Sequence, residues 1–453
     1  MIKKNRYSSS FITFLLIFEI GIFFAFGFWF DYDSSYYPET TENDPRVEKY
    51  FTFFSDTTVL ALMGFGFLLV YLRNYCYSAS GFSFLLVAFA FQWNLLVYAF
   101  FYQMHIDIFG KFKLDIETLG RGIYGSLCAL ISFGAFLGTT QPTQILMIIF
   151  IEIFFYQLNY YINIFKLQAF DMGGSIYLHE FAGIFGYAVT LGLGSRKDIK
   201  KHPDIKSRYN SDIFSIFGTM WLWIAWPSFN AMFSPTGFQF RSLLNTIMAI
   251  SSSVIAAFAV SIGVRGKFHM REIRNATLTG GIAIAAASHL KMSLVGSMIC
   301  GIIAGALTSF LSAILTKSFR VFYGGEQIRR ILFFHAIPGI IGGFASAFGA
   351  GLADEDKEPY KDHYHEFFPR GDVQYGAQLA AMGITLLIAL ISGYLTGLII
   401  NEITFRNTQP LNDSEYWHVP DDFEETTIDS LGIPRDHKGN VVGDEWVLEA
   451  EIK

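Results

Sequence analysis

The feature that most constrains this chain is a succession of apolar runs, each about 20 residues long, separated by polar loops. A helix needs about 20 mainly apolar residues to cross the hydrocarbon core of a bilayer. Backbone groups in lipid must hydrogen-bond within their own segment, so runs of this kind are expected to form helices. Hydrophobic residues make up 52% of the chain and charged residues only 16%. The pattern predicts an all-α polytopic membrane protein.

We predict about twelve transmembrane spans within one membrane domain, residues 1–406. A signal peptide is the alternative for the first run, but that run is long for a signal sequence, contains Glu19 and lacks a small-residue cleavage site. The segment 407–453 is polar and acidic, which predicts a mostly disordered cytoplasmic tail. The predicted spans are 10–30, 52–72, 82–104, 119–138, 142–163, 174–194, 213–233, 242–263, 275–290, 292–314, 331–350 and 374–401.

Lysine and arginine are distributed unevenly between the two sides of the predicted membrane domain. The loops that follow the sixth, eighth and tenth spans are rich in these residues, whereas two opposite loops, 31–51 and 351–373, are mainly acidic. Loops with many lysines and arginines usually remain in the cytoplasm. We therefore predict a multi-pass protein with both termini cytoplasmic, and we expect it in the plasma membrane.

Two predicted spans carry nearly the same motif. One reads His179-Glu-Phe-Ala-Gly-Ile-Phe-Gly186, and the other reads His335-Ala-Ile-Pro-Gly-Ile-Ile-Gly342. The motifs lie five spans apart and cross the membrane in opposite senses, which predicts an inverted five-helix repeat over roughly 52–194 and 213–350. Inverted repeats place a shared site near the membrane midplane. The motifs therefore predict a narrow pore with paired histidines at its centre.

Each histidine alone has a structural alternative, as a buried side chain with satisfied hydrogen bonds. The repeat favours a functional interpretation, because ionisable groups inside a membrane are costly and usually line a pathway. Neutral imidazole offers one donor and one acceptor nitrogen, and two adjacent rings would titrate as a coupled pair. Removing water from a bare cation costs tens of kcal/mol in an apolar medium, so a dry path of this kind suits a small neutral solute.

Asp171 directly precedes the sixth span. Its position suits a helix cap, with the carboxylate accepting backbone N–H groups at the positive end of the helix dipole. The alternative is that Asp171 also sets the electrostatic potential for cations at a pore mouth. Both interpretations remain open from the sequence.

Several motifs follow one another in a specific order along the chain. They begin at Asp56-Thr-Thr-Val and end at Tyr416-Trp-His-Val-Pro420, with Trp226-Pro-Ser-Phe-Asn230 and Asn275-Ala-Thr-Leu between them. In these segments and around both histidines, the chain resembles the ammonium transporter/Rh superfamily, and within it the Rh (Rhesus glycoprotein) branch. The resemblance implies the ammonium transporter fold, a homotrimer with one pore per subunit, and passage of ammonia or ammonium, with CO2 as a further candidate.

The resemblance also implies which residues line the pathway. The two histidines match the family's twin histidines, and Asp171 matches its pore-vestibule aspartate. Phe229 matches the inner member of its phenyl gate, with Asn230 beside it, and Tyr124 takes the outer position, where phenylalanine is usual. Without the resemblance, Phe229 and Tyr124 would be assigned to an ordinary aromatic core.

Some positions depart from the family's pattern. Tyr160 falls where an acidic vestibule residue is common, and Ala336 replaces the usual glycine after the second histidine. Before that histidine the chain has Gln327 and the pair Arg329 and Arg330. These residues predict an inner approach that is more basic and more apolar than usual, which would weaken the recruitment of cations from that side.

The function predicted from these features is a channel or transporter for ammonia or ammonium. A CO2 channel with the same fold is one alternative, and a non-conducting Rh-like scaffold or sensor is another. The sequence shows no serine–histidine–aspartate set, zinc-ligand spacing or phosphate-binding glycine loop, so we expect no enzyme activity, cofactor or metal. We expect no nucleic-acid partner, while the tail could bind cytoplasmic proteins.

Overall fold

The computed structural model describes residues 6–34, 45–72, 74–194, 209–318, 331–361, 364–403, 411, 413–420, 427–428 and 434–435. Gln327, Arg329 and Arg330 lie outside the described residues, as do the basic loop 195–208 and most of the predicted tail.

The described part of the chain contains twelve long helices, one for each predicted span. This confirms the predicted all-α class. The helices are α1 (Arg6–Trp29), α2 (Pro45–Val59), α3 (Cys76–Ile106), α4 (Ile116–Phe136), α5 (Pro142–Tyr160), α6 (Phe181–Leu193), α7 (Tyr209–Ala231), α8 (Gln239–Arg265), α9 (Met270–Ala285), α10 (Ser293–Ser318), α11 (Ile337–Gly351) and α12 (Gln374–Ile403).

Short elements extend or connect these helices. Among the described residues, four π-helical segments adjoin long helices, at Leu60–Phe65, Tyr161–Lys166, Ser175–Glu180 and Leu332–Ala336. The short helices are Gly66–Leu68, Tyr364–Phe367, Gly371–Val373 and Asp413–Tyr416. The strands are β1 (Phe30–Tyr32), β2 (Phe112–Leu114), β3 (Thr427–Ile428) and β4 (Pro434–Arg435); β1 pairs with β2 in parallel and β3 with β4 in antiparallel fashion.

Among the described residues, ten of these helical segments are long and apolar enough to cross a membrane. The chain is therefore an integral multi-pass membrane protein. The bounds predicted for the ninth span, 275–290, are wrong, because α9 runs from Met270 to Ala285. The prediction excluded the charged residues before Asn275. Two of them are buried in the helix with partners: Glu272 pairs with Arg265 at 2.7 Å, and Arg274 pairs with Asp212 at 2.7 Å.

Helix α1, which corresponds to the first predicted span, packs on the helical bundle. The ring centroids of Phe18 and Phe89 lie 3.9 Å apart, and Phe14 makes an edge contact with Phe150. At the other end of α1, the indole Nε1 of Trp29 donates to Oε1 of Gln103 at 2.9 Å. These contacts bury one face of α1 against α3 and α5.

The loops contact one another as an alternating span order requires. Strand β1 follows α1 and pairs with β2, which follows α3, so these two loops lie at the same end of the bundle. At another pair of loops, the N–H of Leu411 donates to the carbonyl of Thr140 and that of Asp413 donates to the carbonyl of Asn74. The described start of the tail therefore docks on the loops that follow α2 and α4.

Both histidine motifs begin with a π-helical segment. His179 lies in Ser175–Glu180, which leads into α6, and His335 lies in Leu332–Ala336, which leads into α11. The segment Ser175–Glu180 and helix α11 approach closely at Gly339, where an added Cβ would lie 2.5 Å from the carbonyl oxygen of Ser175. Small residues allow membrane helices to approach in this way, and here the close approach brings the two histidines together.

Candidate pore and its histidine pair

The histidine pair lies in the interior of the bundle. The Nδ1 atoms of His179 and His335 are 3.5 Å apart, and the ring centroids are 5.7 Å apart with 24° between the ring planes. His179 is 1% exposed and His335 is 4% exposed. Nε2 of His179 has no hydrogen-bond partner among the described residues, so this nitrogen is available to a small solute. The arrangement places two polar rings side by side in surroundings that are otherwise largely apolar.

Asp171 holds the segment that carries the first histidine. Its carboxylate accepts backbone N–H groups from Ser175 at 2.8 Å, Ile176 at 2.7 Å and Tyr177 at 3.0 Å. A capping carboxylate satisfies the free donors of the first helical turn and carries its charge at the positive end of the dipole. Asp171 thus caps the π-helical segment Ser175–Glu180. The last of its three donors, Tyr177, lies two residues before His179.

The two gate residues predicted from the resemblance lie against each other. The ring centroids of Tyr124 and Phe229 are 4.4 Å apart, and the Tyr124 hydroxyl donates to the backbone carbonyl of Phe229 at 2.5 Å. Phe229 in turn makes an edge contact with His179, with centroids 6.0 Å apart. Phe233 also packs on Tyr124, with ring centroids 4.8 Å apart. The rings therefore form a continuous row that leads to the histidine pair.

Two aromatic rings that the sequence did not assign to the pathway flank the histidines. Trp226 stacks on His179, with centroids 5.7 Å apart and 20° between planes, and Phe65 lies 6.0 Å from His335. The indole Nε1 of Trp226 is buried with no acceptor among the described residues. Trp226 stands one helical turn before Phe229 on α7, and this spacing is the signal that could have identified it.

Asn230 lies in the helix packing behind the predicted gate residues. Its amide Nδ2 donates to Oγ1 of Thr246 at 3.0 Å and to the carbonyl of Gly281 at 3.0 Å. These bonds join α7 to α8 and α9. They position the adjacent Phe229, and the structure gives no contact between Asn230 and either histidine.

A small cavity of about 30 Å³ adjoins the second histidine. His335, Phe65 and Phe334 line it together with Arg274. The guanidinium of Arg274 pairs with Asp212 at 2.7 Å and lies 5.4 Å from the centre of the Tyr71 ring. The approach to His335 is thus apolar with one paired cation at its wall.

At the opposite end of the row, Tyr160 contacts a residue that sequence reasoning missed. Arg121 donates one hydrogen bond to the Tyr160 hydroxyl and another to Oε1 of Glu117 at 2.7 Å. The Arg121 guanidinium also lies over Phe233, 4.4 Å from the ring centre. The position where the family commonly has an acidic residue is therefore occupied by a tyrosine hydrogen-bonded to an arginine.

Other buried polar residues lie outside this row. The carboxylate of Glu152 accepts hydrogen bonds from Ser132 at 2.5 Å and from the Cys128 thiol at 3.4 Å, between α4 and α5. Among the described residues, no group of three or more histidine, cysteine, aspartate or glutamate side chains could hold a metal ion.

Comparison with known proteins extends over nearly the whole chain. A model of the Ammonium Transporter Family matches residues 13–416. Rhesus-like glycoprotein A of Dictyostelium discoideum is 31% identical over 93% of this chain and 84% of its own length. The ammonium transporter Rh type B of Takifugu rubripes is 34% identical over 89% of this chain and 91% of its own. The structure of Nitrosomonas europaea Rh50 matches with a TM-score of 0.70 and 25% identity, over 90% of this chain and 97% of that one.

Proposed function

This chain belongs to the Ammonium Transporter Family and is a transmembrane channel for ammonia or ammonium, and we propose that its solute passes beside the His179–His335 pair. The observation that carries this proposal is the 3.5 Å separation of the two Nδ1 atoms, in rings that are 1% and 4% exposed. Two helices from different halves of the chain supply the rings. A shared polar site at that junction is what an inverted repeat would build.

The chemistry of the pair suits ammonia. Each neutral imidazole has one donor and one acceptor nitrogen, and ammonia both donates and accepts. Hydrogen bonds to the rings replace some of those that ammonia loses when it leaves water. An ammonium ion would lose far more hydration free energy in these surroundings, because burying an unpaired charge is very costly. The histidine pair therefore favours neutral ammonia over the ammonium ion in the narrow segment.

The other predicted residues take supporting roles in this proposal. Tyr124 and Phe229 form the aromatic gate at one end of the pair, and the solute passes when these rings separate. Asp171 positions His179 by capping its helical segment. Asn230 positions Phe229 through its bonds to the neighbouring helices.

The test is ammonia flux into proteoliposomes. An inward ammonium chloride gradient is applied, and internal pH is followed by stopped flow for wild type and for His335→Ala. Entry of ammonia raises internal pH, so we expect fast alkalinisation in wild type and a clearly changed rate in the variant. His289→Ala is the matched control, because His289 is equally buried but packs on Phe170 and Phe367. Its rate should equal that of wild type.

Two other outcomes would change the proposal. Wild-type rates no higher than those of empty liposomes, with the protein correctly assembled, would contradict ammonia conduction. The same liposomes exposed to a CO2 gradient would then separate a CO2 channel from a non-conducting scaffold or sensor. A normal wild-type rate that is unchanged in His335→Ala would place the pathway elsewhere in the bundle.

The assembly and orientation follow from the same premise. We propose a homotrimer in the plasma membrane with both termini cytoplasmic, a membrane domain at 1–406 and a cytoplasmic tail at 407–453 that binds cytoplasmic proteins. The paired π-helical segments before α6 and α11 support the inverted repeat. Native mass spectrometry would test the trimer, and protease protection in sealed vesicles would test the side on which each terminus lies.

A further inference from the structure

An arginine stands at the outermost point of the aromatic row. Arg121 lies in the second turn of α4, three residues before Tyr124. Its guanidinium carbon is 4.4 Å from the centre of the Phe233 ring, and Phe233 packs on Tyr124 at 4.8 Å. The arginine side chain is 18% exposed and Phe233 is half-buried, whereas Tyr124 and Phe229 are buried. A solute entering from this end therefore meets the guanidinium before it meets the gate.

The guanidinium is fixed by contacts on several sides. It donates to the Tyr160 hydroxyl and to Oε1 of Glu117, and it lies 5.5 Å from the ring centres of both Tyr98 and Tyr160. Its own backbone carbonyl accepts a hydrogen bond from Nδ2 of Asn94 at 2.9 Å. A side chain held in this way acts as a stationary charge at the mouth.

The position of this charge bears directly on which form of the solute can enter. The face of an aromatic ring attracts one cation, and at Phe233 that face is already taken by the guanidinium. A second cation beside it would be repelled, because like charges at this separation interact strongly where solvent is limited. Neutral ammonia experiences no such repulsion. Glu117 pairs with Arg121 and offsets part of its charge. The Glu117 side chain is more exposed than that of Arg121, at 36% against 18%, so solvent screens the carboxylate more strongly than the guanidinium.

We propose that Arg121 is a specificity-determining residue that excludes the ammonium ion from the outer mouth, so that neutral ammonia reaches Tyr124 and the gate. The inference rests on the proposed ammonia pathway and assigns the form of the solute that enters it. Tyr160 contributes to the same exclusion, because its hydroxyl accepts a hydrogen bond from Arg121 without cancelling the arginine charge, as a carboxylate at position 160 would.

The experiment compares R121Q, R121K and E117Q with wild type in proteoliposomes. Two readouts are recorded after an ammonium concentration jump: internal pH by stopped flow, and displaced charge on a solid-supported membrane. Each variant is measured at two pH values with the same total ammonium, which changes the ammonia concentration while leaving the ammonium concentration nearly constant.

We expect wild-type flux to follow the ammonia concentration and to carry no sustained current. R121Q should gain a sustained current, and the apparent half-saturation concentration of its flux for total ammonium should be lowered by about tenfold from the wild-type value, since one repelling charge has been removed from the mouth. E117Q removes the partly compensating carboxylate and should shift the same concentration in the opposite direction, by roughly threefold. R121K keeps the charge and should return the half-saturation concentration towards the wild-type value.

The outcomes separate this inference from the function on which it rests. Wild-type flux with no change in current or half-saturation for R121Q would overturn the role of Arg121 and leave the pathway intact. A shift of R121Q and E117Q in the same direction would also overturn it, because a general disturbance of the mouth would be the cause. Wild-type liposomes without flux would overturn both proposals. Size-exclusion profiles of each variant establish that differences in flux arise from assembled protein.

Discussion

The Tyr124 hydroxyl donates a hydrogen bond of 2.5 Å to the backbone carbonyl of Phe229, and this bond joins the two residues of the proposed gate across α4 and α7. A phenylalanine at position 124 could stack on Phe229 but could not make the bond. The proposed gate is therefore held by a hydrogen bond as well as by ring packing, and separation of the two rings requires that the bond be broken.

Replacing Tyr124 by phenylalanine should speed transport and lower stability. A net hydrogen bond is worth about 1 kcal/mol, so its loss should raise the open population and the flux by up to roughly fivefold and should lower the unfolding free energy by about the same 1 kcal/mol. Stopped-flow flux and thermal unfolding in detergent measure the two effects. Tyr360→Phe removes a hydroxyl that accepts the Lys291 N–H at 2.7 Å away from the gate, and it should change stability without changing flux. Slower transport in Tyr124→Phe would show instead that the hydroxyl guides the solute.

Asp171→Ala should reduce both stability and flux. Three backbone N–H groups lose their acceptor, and loss of a helix cap costs about 0.5–2 kcal/mol. Flux falls as well, because the uncapped segment carries His179. Asp413→Ala is the matched control, since Asp413 caps α3 by accepting the N–H groups of Tyr77 at 3.0 Å and Ser78 at 2.8 Å. It should lower the melting temperature comparably and leave most of the flux. Equal losses of flux in both variants would mean that Asp171 has no special relation to the histidine pair.

The predictable part of this fold is what lies in single apolar runs. The run 374–401 predicts α12 almost to the residue, since α12 spans Gln374–Ile403, and the repeated motif predicts that His179 and His335 belong to corresponding helices. The bounds of α9 could not be predicted this way. Charges end an apolar run in the sequence, but a charge such as Glu272 is tolerated inside the helix when Arg265 pairs with it, and that pairing depends on the fold.

The same reason explains which site residues the sequence missed. The roles of Trp226 and Arg121 rest on contacts between helices that are distant in the chain: Trp226 on α7 stacks on His179, and Arg121 on α4 lies over Phe233. The spacing of Trp226 from Phe229 places both residues on one face of α7, but a pattern within one helix does not identify the ring that a neighbouring helix presents. The departure at Tyr160 was visible, but its meaning depended on the arginine that donates a hydrogen bond to it.

Glu152→Gln should leave transport unchanged and should not lower stability. The Glu152 carboxylate is fully buried, and its observed donors are the neutral Ser132 hydroxyl and Cys128 thiol. Glutamine keeps an acceptor oxygen for these donors and removes the need to bury an ionisable group, which is costly when no opposite charge compensates it. We expect flux within about twofold of wild type, as α5 contributes no ring to the histidine pair. A tenfold loss of flux with normal stability would instead identify Glu152 as a carrier of the proton that ammonium gives up.

The described start of the tail docks on α3 through Asp413 and Trp417. The Asp413 carboxylate accepts the N–H groups of Tyr77 at 3.0 Å and Ser78 at 2.8 Å, together with the Ser78 hydroxyl at 2.7 Å. Trp417 covers Gly81 so closely that an added Cβ would lie 2.2 Å from the indole. Gly81→Ala should therefore displace Trp417, and Asp413→Ala should release the same segment by removing its acceptors. Hydrogen exchange of residues 411–420 should rise in both variants and not in Gly110→Ala, where a Cβ meets nothing within 4 Å.

The docking should also depend on pH in a defined direction. Burial raises the pKa of Asp413 above its ordinary value, so the docked segment binds a proton more readily than the released one. Protonation of Asp413 therefore stabilises the docked segment. This contribution to the docking free energy is fully present at pH values below the ordinary pKa of aspartate, and it is lost as the pH rises through the raised pKa of Asp413. Exchange at residues 411–420 should therefore increase, after correction for the intrinsic pH dependence of exchange, over that interval. An opposite trend would mean that the three hydrogen bonds to the ionised carboxylate outweigh its burial.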